Sequence, residues 1–250
     1  MRVAVISDIH GNDVAFAAAL ADIEAAQVDQ IVCLGDAIQG GPQPAQVVAR
    51  LRAAGIPTVM GNADDWLLTG ADSGAEQIEP ERRRRMDDVR DWALTQLAPA
   101  DREFIAAFQP TITLDLGAGQ QLLCFHGSPT SYDDVLLPST PDAEAEALLG
   151  NSAAQLFTGG HTHLQQIRRL GARRFFNPGS IGFAYSHQQD EAGFRADPWA
   201  EYAILTADGA HFGLEFRRVP FDVDALVAAY RDGGRPHADA AIEQYRGASS

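Results

Sequence analysis

Five short clusters of metal-binding residue types recur along this chain, each after an apolar run and beside a glycine. They are Asp8-Ile9-His10, Gly35-Asp36, Gly61-Asn62-Ala63-Asp64, His126-Gly127 and Gly160-His161-Thr162-His163. A short apolar run closed by glycine reads as a strand entering a turn, so each cluster is expected in a loop at a strand's C-terminal end. As candidate ligands they offer Asp8, His10, Asp36, Asn62, His126, His161 and His163, with no thiolate. That donor set suits borderline-to-hard divalent ions and is large enough to hold two.

The first sixty residues alternate. Val3 to Ser7, Ile31 to Leu34 and Thr58 to Met60 read as strands, and Val14 to Ala26 and Pro44 to Ala54 as helices. This order predicts a parallel sheet with right-handed crossovers, whose ligands bind outside the carboxyl ends of the strands. From Asp65 to about Gln109 the pattern turns helical, with Glu81 to Leu97 and Asp101 to Phe108 starting near Pro80 and Pro99. We expect a helical cap insertion over residues 65–109, overhanging the third cluster, within one domain spanning residues 1–250. Its Arg82-Arg83-Arg84-Arg85 run reads as a solvated helix face balanced by Glu79, Glu81, Asp87 and Asp88. The competing reading is a patch that grips phosphate.

The second half is strand-rich: Thr111 to Leu116, Leu122 to Phe125, Leu156 to Thr158, Gln165 to Leu170, Arg174 to Phe176, Tyr202 to Thr206 and Phe212 to Val219. Ala143 to Leu149, Asp222 to Tyr230 and Ala238 to Tyr245 read as helices, and Gly247 to Ser250 is expected to fray. A mixed-sheet α/β sandwich follows.

The formal charge of −15 argues against a nucleic-acid partner. A small phosphoester remains acceptable, because bound ions supply local positive charge. No stretch approaches the roughly 20 apolar residues that span a bilayer, and Met1 to Ser7 is too short for a secretory signal. Cys33 and Cys124 lie inside apolar runs and are expected to be buried and reduced, so a cytoplasmic protein is expected. All nineteen basic residues are arginine, which composition bias explains more simply than function.

Taken singly the clusters are weak. Asp8 and His10, like His161 and His163, stand two apart, and in an extended segment both side chains face one way. A carboxylate at Asp36 suits a bridge between two ions. Asn62 offers a neutral oxygen, although asparagine beside glycine is commonly a turn residue. His187, His211 and His237 lack such context and are read as ordinary surface residues.

Jointly, Asp-x-His, Gly-Asp, Gly-Asn-x-Asp, His-Gly and Gly-His-x-His resemble the calcineurin-like metallophosphoesterase superfamily. Asn177-Pro178-Gly179-Ser180 extends the likeness to its small bacterial and archaeal phosphodiesterases. The resemblance implies a mixed β-sandwich flanked by helices and two divalent ions (Mn, Fe, Zn, Co or Ni, with Mn favoured). It implies one ion on Asp8, His10, Asp36 and His163, and the other on Asp36, Asn62, His126 and His161. A metal-bridging hydroxide would then hydrolyse a phosphomonoester or phosphodiester. Many members carry a histidine after the asparagine as proton donor; here that residue is Ala63, so the general-acid position is empty of a titratable group. Asp64 would orient a ligand from behind, and Asn12 and the backbone around Gly127 would contact phosphate. A non-catalytic scaffold of the same fold, as in a retromer subunit, and a metal-dependent nuclease are the alternatives. The retained ligands argue against the first, and the charge against the second.

Overall fold

The computed structural model describes residues 1–71, 78–190, 193–209 and 211–245. The expected fraying of residues 247–250 lies outside them. Two mixed sheets face one another. The first has the order β2-β1-β8-β9, from β1 (Arg2–Ile6), β2 (Gln30–Cys33), β8 (Trp199–Asp208) and β9 (His211–Pro220). The second has the order β3-β4-β5-β7-β6, from β3 (Ile112–Gly117), β4 (Gln120–Cys124), β5 (Leu156–Thr158), β6 (Gln166–Leu170) and β7 (Arg173–Asn177). β1 pairs parallel with β2 and antiparallel with β8, while β5 pairs parallel with both β4 and β7.

After Arg2, β1 is apolar because both of its faces are covered. Val3 and Val5 turn towards the second sheet, among Leu34, Leu114, Leu122, Cys124 and Leu205. Ala4 and Ile6 turn the other way, onto Phe16, Ala19 and Ile23 of α1 (Asp13–Ala25) and Val47, Val48 and Leu51 of α2 (Pro44–Ala54). The far face of the second sheet is covered by α6 (Asp142–Leu149), whose Ala145 and Leu149 meet Phe125, Phe157 and Phe175. The result is four layers, helix, sheet, sheet and helix, as expected. Cys33 and Cys124 are free and buried, and burial pushes both thiols up.

Two local expectations change. Thr58 to Met60 makes only isolated bridges, Thr58 to Cys33 and Val59 to Gln109, because the chain turns at Gly61 before a ladder can build. A helix absent from the sequence reading, α3 (Asn62–Thr69), starts at Asn62 and ends on Gly70 in a left-handed cap. It is followed by α4 (Pro80–Gln96) and α5 (Pro99–Ala106), each with proline in its first turn. α7 (Val223–Asp232) and α8 (Ala238–Glu243) close the chain around Leu226, Tyr230 and Ile242.

Candidate metal centre

All five clusters meet at the carboxyl ends of β1, β2, β4 and β5. Asp8 N–H donates to Gly35 O at 3.0 Å and His10 N–H to Asp36 O at 2.9 Å, lacing the first two loops together. Within the second sheet, Gly160 N–H donates to His126 O at 2.9 Å. The backbone at these loops is not extended. Asp8, His10, Asp36, His161 and His163 have φ of 54°, 47°, 50°, 65° and 54°. Only three other non-glycine residues among those described share this left-handed region, Gln27, Ala118 and His237. Such a conformation costs about 1–2 kcal/mol per residue, and its concentration in candidate ligands marks a functional locus. Glycine is required where these loops touch. A Cβ on Gly61 would land on Asp36 Oδ1, and one on Gly160 on Ser7 Oγ.

The side chains form two clusters that could each hold an ion: Asp8, His10 and His163, and Asp36, His126 and His161. Within each, the donor atoms lie within 4.8 Å of one another. Asp8 and His10 do share a cluster. His161 and His163 do not: His163 joins Asp8 and His10, and His161 joins Asp36 and His126. Asp36 stands between the clusters. Its Oδ2 lies 3.4 Å from His126 Nε2 and 3.9 Å from His10 Nε2, while Oδ1 accepts from Ala63 N–H at 2.8 Å. Asn62 Oδ1 adjoins the second cluster, 3.0 Å from His126 Nε2.

Three observations test whether the donors fit a metal. His10, His126 and His163 each donate Nδ1–H to a backbone carbonyl, of Gln39, Leu34 and Phe183, at 2.8, 2.8 and 2.7 Å. That leaves every Nε2 with its lone pair directed inwards. His10 Nε2 and His163 Nε2 then face each other at 3.1 Å, a repulsive arrangement unless a cation or proton lies between them. Asp8 Oδ1 is fully buried without a hydrogen bond; His163 Nε2 is 3.2 Å away but not aligned for one. The donor set fits divalent ions.

The electrostatics agree. Burial works against ionising Asp8 and Asp36, yet the facing histidines hold both carboxyls below the ordinary carboxylate range. Burial likewise opposes charge on His126, but Asp36 outweighs it and raises the imidazole to about 9. On His10 and His161 burial prevails and both are lowered. These buried groups need a shared cation or proton. Asp64, by burial first and Asp36 second, is pushed up to about 7.

The remaining candidates are occupied differently. Asp64 accepts from the N–H groups of Ala37 and Ile38 at 3.0 and 2.9 Å, which sets the loop behind Asp36. Asn12 does not face the cleft. It is buried, its Oδ1 caps α1 through Ala15 N–H and its Nδ2 donates to Gly182 O. Gly127 packs on the backbone of Tyr132 and Asp134. Ala63 lines the cleft beside Asn62, and His237, read as ordinary surface, lines it too while bonding Asp88 at 2.8 Å.

Two contributors escaped the sequence reading. Asn177 donates to Gly160 O and Thr162 Oγ1 at 2.6 and 3.1 Å, pinning the loop that carries His161 and His163. Its Asn-Pro-Gly-Ser context was a signal, without the role. Arg235 carried no signal, being far from every cluster in sequence.

A family model described as the calcineurin-like phosphoesterase superfamily domain matches residues 1–206. The chain is 25% identical over 236 residues to the uncharacterized protein MJ0912 of Methanocaldococcus jannaschii, covering 88% of each. It is similar in structure to a metallophosphoesterase from Sphaerobacter thermophilus, with TM-score 0.71, 24% identity and coverage of 97% and 98%. It is also similar to hypothetical protein PH1004 from Pyrococcus horikoshii OT3, with TM-score 0.79, 20% identity and coverage of 98% and 97%. Both structural likenesses speak to the fold.

Proposed function

This chain belongs to the calcineurin-like phosphoesterase superfamily, and from that premise we propose that it is a metal-dependent phosphoester hydrolase with a dinuclear centre. One ion would be held by Asp8, His10, Asp36 and His163, the other by Asp36, Asn62, His126 and His161. The observation that carries this reading is Asp36 Oδ2, which faces a histidine of each cluster. Bound there, a pair of divalent ions supplies a water of lowered pKa and offsets charge on phosphoryl oxygens. The residues do the rest. Backbone carbonyls fix three imidazole tautomers, Ala63 N–H orients Asp36, and Asp64 fixes the loop behind it. The mixed imidazole, carboxylate and amide-oxygen set would accept Mn, Fe, Zn, Co or Ni, and manganese(II) is favoured on the family resemblance alone. The segment from residue 65 to 109 serves as a cap within one domain. The substrate is a small phosphoester, since a chain of charge −15 repels a polyanion.

The test is hydrolysis of bis(p-nitrophenyl) phosphate and p-nitrophenyl phosphate by chelator-stripped protein, with and without manganese. Stripped protein should be inactive and manganese should restore it, while His126→Ala should lower turnover by several powers of ten. Equal rates in stripped and reloaded protein would sink the reading.

A further inference from the structure

The cleft over the two clusters, about 1020 Å³, has a second chemical character in the rest of its lining. α4 contributes Arg82, Arg83 and Arg85 to the lining, and the segment before α8 contributes Arg235. Away from the clusters, the acids lining the same cleft are Asp65 and Asp133, so arginine predominates there in a chain of net charge −15.

Arg235 is the most telling. Its Nε and Nη1 donate to the carbonyls of Gly40 and Pro236 at 2.6 and 2.9 Å, and its guanidinium lies 5.4 Å from the Tyr230 ring centroid. Among the described residues no carboxylate pairs with it. A largely buried guanidinium held only by neutral carbonyls keeps an uncompensated charge. It sits beside the centre, because Gly40 follows Gln39, whose carbonyl orients His10.

The lining beside the clusters supplies the complementary observation. The residue lining the cleft next to Asn62 is Ala63, which can donate no side-chain proton. An alkyl ester departs as an alkoxide, whose conjugate acid has a pKa near that of water, ~16, and such a group needs a proton that position 63 does not supply. A phosphate, with a second pKa of about 6, leaves without one. It also carries charge that planar guanidinium groups hold well.

We propose that the substrate is a phosphoric anhydride, whose leaving phosphate is gripped by Arg235 and the arginine face of α4. This rests on the reading of the clusters as a phosphoester-hydrolysing centre. In the step, a water oxygen bonds to one phosphorus and the bridging P–O bond breaks. The electron pair of that bond stays on the departing phosphate, and the two water protons pass to solvent. One anhydride and one water thus give two phosphates.

The manganese-loaded protein should be assayed on three probes: diadenosine diphosphate, the dinucleoside monophosphate ApA and bis(p-nitrophenyl) phosphate. The anhydride should exceed ApA in kcat/KM by about 10²- to 10⁴-fold, the usual worth of a general acid. Arg82→Ala/Arg85→Ala on the exposed helix face, and separately Arg235→Lys, should each lose about tenfold more on the anhydride than on the aryl diester. Calorimetric binding of α,β-methylene-ADP to the same variants should weaken in parallel. Hydrolysis of the aryl diester with equal rates on anhydride and ApA would overturn the proposal and leave the phosphoesterase reading standing. So would equal losses on anhydride and aryl diester in both arginine variants. If no probe is hydrolysed with any divalent metal, the phosphoesterase reading fails and the anhydride with it.

Discussion

At the scale of single residues, Asp36 has the most demanding position. Its φ is 50°, its Oδ1 is committed to Ala63 N–H, and its Oδ2 faces both His126 and His10. Asp36→Asn would keep the shape but replace one oxygen by a donor. If Oδ1 keeps the Ala63 N–H, the new NH₂ points at both imidazoles. Asp36→Asn should therefore lose more metal than Asn62→Ala, which removes a neutral ligand from one cluster only. Elemental analysis after reconstitution checks this, with about two ions expected in the parent chain. A parent chain that never exceeds one ion, or an Asp36→Asn variant that binds normally, would refute the shared-ligand assignment.

At the scale of elements, the centre depends on a strap running from the end of β7 to Phe183. Asn177 holds the His161–His163 loop, Ser180 Oγ donates to Asp8 O at 2.8 Å, and Ile181 N–H donates to Ser7 O at 2.9 Å. Phe183 O then receives His163 Nδ1–H. Asn177→Ala leaves the Gly179 N–H without its acceptor, while Gly160 O keeps only Thr162 N–H, which should cost about 1–3 kcal/mol. Because each cluster takes one histidine from the pinned loop, metal affinity should fall by about 10–100-fold. Denaturant unfolding of the metal-free variant and metal titration measure the two effects separately. Unchanged affinity would reduce Asn177 to a packing role. The strap also shows what could be read in advance. The clusters were legible because strand, glycine and ligand are local in sequence, as were the helices that begin at Pro44, Pro80 and Pro99. Arg235 was not, since its relation to Gly40 spans 195 residues and depends on how α7 and α8 fold back. The split of His161 from His163 was hidden for a related reason. It depends on which side chains of the other loops each histidine meets, Asp8 and His10 for His163 and Asp36 and His126 for His161, and those loops are distant in sequence.

At the scale of the molecule, the clusters are a junction between the two sheets. Asp8, His10 and Asp36 follow strands of the first sheet, while His126, His161 and His163 follow strands of the second. Each cluster draws on both, so an ion in either one ties the sheets together at their carboxyl ends. The apolar core between the sheets joins them elsewhere, and the metal-free chain should stay folded. Binding to the native state alone adds about 2.7 kcal/mol per site at a hundredfold excess of free ion over Kd. Two sites would thus contribute about 5 kcal/mol. In a chain of this size 1 kcal/mol moves Tm by roughly 2–4 °C, so saturating manganese should raise Tm by about 10–20 °C over chelated protein. His163→Ala leaves the first ion on first-sheet ligands alone, whereas after His161→Ala the second ion is still tied by Asp36 and His126. Each should forfeit part of the rise, but only the first breaks a tie. Replacing His126, His161 and His163 together removes every second-sheet ligand and should forfeit nearly all of it, although five of eight side-chain contacts to the ions would survive. A Tm indifferent to manganese, or a triple variant that retains the full rise, would mean that the ions do not bridge the sheets and that the left-handed loops are held by the protein alone.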